Sequence, residues 1–154
     1  LLLVLLALGL SPLAAQDTRG SLVPDTPVTL WDGSVALVQD LNQGSTVWSL
    51  GPAGKPQAAQ ITAVRRQHTD SYLLVKVGTR EVQATVSHRI AVPGGALVRL
   101  DTLKAGDKVL VWGLKGVEEA AITSVRVYPA NLVSYDLTVE GHRPFLVNGI
   151  LLGD

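Results

Sequence analysis

The sequence predicts an all-β fold of short antiparallel strands, and three observations carry that prediction. Apolar and polar residues alternate in short runs, glycine and proline turn signals separate the runs, and the whole pattern is written twice at a spacing of 62 residues. No stretch sustains a helical period. Fifteen glycines, eight prolines and an aromatic content of 5% suit frequent turns better than a helical bundle. A chain of 154 residues with one hydrophobic pattern has room for a single domain with a substantial core.

Residues 1–13 are almost wholly apolar and run into Ser-Pro-Leu-Ala-Ala-Gln. This is the pattern of a secretory h-region and a small-residue cleavage site, with cleavage expected after Ala15. The run is shorter than the roughly 20 apolar residues of a spanning helix. No membrane span is therefore expected after signal removal, and the protein is expected to be secreted or periplasmic. The charged n-region and the initiator methionine of such a signal are expected to lie upstream of Leu1. Residues 1–15 are read as signal, 16–20 as a short N-terminal segment, and 21–154 as the folded domain.

Thirteen basic residues balance thirteen acidic ones, and the pI is near 7.0, so charge offers no footprint for nucleic acid. Cysteine is absent, which removes both disulfides and a thiol nucleophile. His68, His88 and His142 are widely separated and have no partner at a ligand spacing, so neither a metal nor another cofactor is expected.

From Thr26 onward the elements follow in order. Val28 and Leu30, then Asp32-Gly33, then Val35 and Leu37 form a hairpin pattern, because Asp-Gly accepts the positive φ of a tight turn. Further strands are predicted at 46–50, 58–65, 72–77, 81–86, 108–112, 118–127, 134–139 and 145–152. His68 falls in RRQHTDS, read as a polar connection and an exposed turn. The repeat aligns VQDLNQGSTV (38–47) with LDTLKAGDKV (100–109), setting Leu41 on Leu103, Gly44 on Gly106 and Val47 on Val109. Val28 falls on Ile90 and the Asp32-Gly33 turn on Gly94-Gly95 at the same offset, while Ile61-Thr62 falls on Ile122-Thr123 at 61. Two halves of one plan are predicted.

Three segments carry a resemblance. SLVPDTPVTLWDGSVALVQDLNQGSTV, beginning at Ser21, resembles the first block of Hint domains, the self-processing fold of inteins and hedgehog C-terminal regions. ATVSHRI holds Thr85 and His88 in a T-x-x-H similar to the second block. SYDLTVEGHRPFLVNGILLGD is similar in register to the terminal block. The order and the coverage, residues 21–154, match, in the style of bacterial intein-like or pretoxin-type Hint domains. The resemblance implies a flat horseshoe of long, bent antiparallel strands with a pseudo-twofold duplication.

It also implies chemistry. Ser21 stands at the nucleophile position and would attack the Gly20 carbonyl, converting the Gly20-Ser21 amide into an ester by an N-to-O acyl shift. That shift is uphill for a free peptide, so the departing nitrogen needs a proton donor. The resemblance gives His88 that role, Thr85 the task of orienting it or the scissile backbone, and Asp136 that of taking the hydroxyl proton or holding the geometry. The reaction would be a single-turnover autocatalytic cleavage whose substrate is the chain's own N-terminal segment, in a monomer. In the terminal block, His142, Arg143 and Asp154 depart from the histidines and asparagine of splicing inteins. A carboxylate is a poor electrophile, so N-terminal cleavage is favoured over splicing. The other reading is an inactive exported module that retains the fold and only binds.

Overall fold

The computed structural model describes residues 19–154; the apolar run 1–13 and the expected cleavage site after Ala15 lie outside them. Among the described residues twelve strands form one antiparallel sheet system: β1 (Pro27–Thr29), β2 (Val35–Leu37), β3 (Thr46–Leu50), β4 (Pro56–Val77), β5 (Arg80–Ala84), β6 (Arg89–Ala91), β7 (Leu97–Arg99), β8 (Lys108–Gly113), β9 (Gly116–Ala121), β10 (Ser124–Val139), β11 (Phe145–Val147) and β12 (Ile150–Gly153). Helical geometry among the described residues is confined to single 3₁₀ turns at Val38–Asp40, Leu100–Thr102 and Glu140–His142. None of these could cross a membrane as a helix.

The duplication predicted from the sequence is present bond by bond. Strand β1 pairs with β2 through Val28↔Ala36, and β6 with β7 through Ile90↔Val98, the same register 62 residues later. The two 3₁₀ turns, Val38–Asp40 and Leu100–Thr102, keep that offset. Gly44 N–H donates to Ile61 O at 2.8 Å, and Gly106 N–H donates to Ile122 O at 2.8 Å. Both glycines have φ near +94°, at 93° and 94°, which explains why glycine recurs there.

The terminal hairpin joins the halves. Strand β11 pairs with β1 and β3 of the first half, and β12 pairs with β6 and β8 of the second. Asn148 and Gly149, with φ of 48° and 80°, make the tight turn between them. Every side chain from Phe145 to Val147 and from Ile150 to Leu152 is buried, which a one-faced strand would not require. The reason is that both faces are covered: Phe145, Val147, Ile150 and Leu152 enter the main core, and Leu146 and Leu151 enter a second cluster with Trp48 and Leu110.

Two differences from the sequence prediction position the site. The strands expected at 58–65 and 72–77 are one continuous strand, because β10 pairs along β4 from Lys76 to Ile61 and satisfies the backbone of the polar stretch between them. His68 is therefore a strand residue opposite Val133, exposed as expected but not in a turn. The strand expected over 81–86 stops at Ala84, where Thr85 turns the chain: the His88 N–H donates to Thr85 O at 3.0 Å.

Candidate functional site

The segment from Arg19 to Val23 enters the sheet between β5 and β10. Leu22 N–H donates to Tyr135 O at 2.8 Å, Tyr135 N–H donates back at 2.9 Å, and Val23 N–H reaches Gln83 O at 3.3 Å. These bonds draw Ser21 fully out of solvent. Thr85 then holds Ser21 at two points. Its Oγ1 accepts from the Ser21 N–H at 2.9 Å, and its own N–H donates to Ser21 O at 2.9 Å. The nitrogen of the Gly20-Ser21 peptide is thus anchored directly by the threonine of the T-x-x-H.

His88 closes the other side. A Cβ added at Gly20 would stand 2.1 Å from the His88 Cα and 2.5 Å from its Cβ, so only glycine fits. The ring is 2% exposed, packs edge-on to Phe145 at 6.4 Å, and has Nδ1 3.1 Å from Arg89 O. A carbonyl only accepts, so Nδ1 carries the proton. Burial pushes the His88 pKa down to about 4, while the bond to Arg89 O and the Asp154 carboxylate pull it upward. Ser21 and Thr85 are hydrogen-bonded although 64 residues separate them, and the backbone of His88 packs against Gly20.

Asp136, 1% exposed, meets the segment one residue further back: the Arg19 Nε lies 3.3 Å from its Oδ2, with Arg65 at 3.9 Å. Arg19 also donates to Thr138 Oγ1, and its carbonyl accepts from Ser87 Oγ at 3.2 Å. The Ser21 hydroxyl instead faces Ser134, with the two Oγ atoms 2.6 Å apart, and Ser134 Oγ lies 2.6 Å from Thr69 Oγ1. Both Ser134 and Thr69 are buried.

No family model and no curated protein matches this sequence. Solved structures do. The chain superposes on a DnaB intein from Synechocystis sp. PCC 6803 with a TM-score of 0.79 at 22% identity, covering 87% of this chain and 97% of that one. The fold is the Hint fold of inteins. A bacterial intein-like domain from Clostridium thermocellum matches with a TM-score of 0.76 at 17% identity, covering 87% of this chain and 98% of that one. The TvoVMA intein matches at 0.77 and 18% identity, covering 89% and 98%.

Within the Hint fold the terminal block reaches the same place as the N-terminal segment. Gly20, Arg19, Thr138, His142 and Asp154 line one cavity of about 270 Å³. The Asp154 side chain, 4% exposed, accepts from Val139 N–H at 2.8 Å and lies 3.1 Å from His142 Nδ1. His142 adopts φ of 50° just after Gly141 at 66°, a left-handed pair that turns its ring toward Asp154. Arg143 lines a separate groove with Gly141 and Pro144. The sequence reading missed Arg19, Ser134 and Thr69. Alternation along β10 was the available signal for Ser134, because a residue two before Asp136 shares its face. Thr69 had none, since it sits in a run read as a polar connection.

Proposed function

We propose that this domain cuts its own chain at Gly20-Ser21 by an N-to-O acyl shift. A self-processing Hint domain is the function class the intein neighbours support. The observation that carries the specific bond is the clasp on it, with Ser21 N–H held by Thr85 Oγ1 and Gly20 pressed on the His88 backbone.

In this reading Ser21 Oγ attacks the Gly20 carbonyl carbon. Thr85 keeps the amide nitrogen in place as it loses its carbonyl partner. The His88 imidazolium donates the proton that turns the nitrogen into an amine. Asp136 acts through Arg19, its buried carboxylate pinning the residue before Gly20 so that the carbonyl cannot drift from the hydroxyl. Water or another nucleophile then resolves the ester from the cavity beside Gly20. The N-terminal segment is the substrate and a monomer suffices. If residues 1–15 direct export, the reaction takes place outside the cytoplasm.

The imidazolium is scarce at neutral pH because burial disfavours it. Cleavage should therefore accelerate roughly tenfold per unit as pH falls from 7 towards 5. The test is the rate of loss of an N-terminal tag by intact mass across that range, with and without hydroxylamine. Ser21→Ala should abolish the loss at every pH. Tag loss from Ser21→Ala at the wild-type rate would overturn the assignment.

A further inference from the structure

An acyl shift must dispose of the Ser21 hydroxyl proton, and the structure offers a path for it. We propose that Ser134 and Thr69 form a hydroxyl relay that carries the Ser21 proton from the buried nucleophile to solvent. The relay rests on the acyl-shift reading and assigns a catalytic role to Ser134, the group that touches the nucleophile.

Ser21 and Ser134 are both fully buried, and Thr69 is 6% exposed. Their oxygens form an unbroken line, with Ser21 Oγ to Ser134 Oγ at 2.6 Å and Ser134 Oγ to Thr69 Oγ1 at 2.6 Å. Both spacings lie at the short end for O–H···O bonds. The relay needs Ser134 to donate to Thr69 Oγ1 at 2.6 Å and not to the more distant Gln67 carbonyl at 3.4 Å, which leaves a Ser134 lone pair for the Ser21 proton. Thr69 stands beside a bulge: Ser71 pairs with Pro129 but Thr69 pairs with Leu132, so two residues of β10, Ala130 and Asn131, stand against the single Asp70 of β4 there. At that point Thr69 lines a cavity of about 270 Å³ with His68, Thr85 and Ser87. A buried hydroxyl pair ending at an open cavity is a conduit, whereas the same pair sealed in the core would only be packing.

The step balances. As Ser21 Oγ bonds to the Gly20 carbonyl carbon, its O–H breaks and the proton passes to Ser134 Oγ. Ser134 gives its own proton to Thr69 Oγ1, and Thr69 gives its proton to a water in the cavity. The C–N bond of Gly20-Ser21 breaks, and the nitrogen takes its proton from the His88 imidazolium.

The test has two arms on the full chain with an N-terminal tag. In the first, Ser134→Ala and Thr69→Val should each slow hydroxylamine-dependent tag loss, on the order of 10- to 10²-fold, and Thr69→Ser should restore it. Wild-type rates in both variants would overturn the relay while leaving the cleavage reading intact. The second arm does not need cleavage. In equal volumes of H₂O and D₂O, the serine ¹³Cβ resonances report hydroxyl exchange, and Thr69→Val should slow exchange at Ser21 and Ser134. Unchanged exchange there would overturn the relay even in a chain that never cuts.

Discussion

The two halves of the molecule share a scaffold and differ in chemistry. Thr26 and His88 occupy the same place 62 residues apart: Val38 N–H donates to Thr26 O at 2.9 Å, and Leu100 N–H donates to His88 O at 2.8 Å. Thr26 lines a cavity of about 290 Å³ in the first half, and Ser87 and Arg89, on either side of His88, line one of about 270 Å³ in the second. In the first half the side chain is spent locally, Thr26 Oγ1 donating to Val23 O at 2.7 Å. In the second half the segment Arg19 to Leu22 lies against the turn, and the Asp154 carboxylate raises the histidine's pKa against the effect of burial. Duplication explains the fold, and the proposed chemistry arises only where the symmetry is broken.

That contrast predicts a large asymmetry on mutation. His88→Ala should slow tag loss by a factor on the order of 10² to 10⁴. Thr26→Ala should leave the rate unchanged and lower stability by about 1 kcal/mol for its lost hydrogen bond. Rate measurements by intact mass and denaturant midpoints separate the two effects, and equal slowing by both variants would break the comparison.

Where the halves are alike, mutations should act alike. Val38 and Leu100 are repeat partners, both fully buried in the main core. Leu100→Ala should destabilise by about 2 to 5 kcal/mol, and Val38→Ala should do the same with a smaller loss, each seen as a lower denaturant midpoint. A large effect in one half alone would mean that the halves fold as separate units.

The histidine also sets a pH signature of similar size. Its pKa is about 4 in the fold against about 6.5 unfolded, so below pH 6.5 the unfolded chain binds more protons. Stability is full above that value and is lost as pH falls from 6.5 to 4, by roughly 3 kcal/mol in all. His88→Ala should flatten this part of the curve, while Thr26→Ala should leave it. The smallest expected effect is that of Asp154→Asn. Removing a carboxylate that favours the imidazolium should slow cleavage, by less than about tenfold.

Much of the fold was legible because the repeat is anchored by residues with one physical purpose. Gly44 and Gly106 supply matching left-handed turns, and Val47 and Val109 fill equivalent core positions. T-x-x-H was legible through its resemblance to the second Hint block, although the turn at Thr85 was read as strand. The unbroken course of β4 was not, since alternation fades through RRQHTDS and only the partner strand shows that its backbone is paired. Thr69 was hidden too, and Ser134 showed only as a residue on the face of Asp136, because the contact between them requires the β4–β10 register. Arg19 was hidden because its partner, Asp136, lies on another strand far along the chain.

The measurement that bears most directly on the account is the chemical identity of the released end. A chain tagged at its N-terminus, incubated with hydroxylamine near pH 6, should release a segment whose last residue is Gly20 as a hydroxamate. The remaining fragment should begin at Ser21, and Ser21→Ala should release nothing. An intact wild-type mass after prolonged incubation would contradict the account and leave a Hint fold that serves as a binding or structural module.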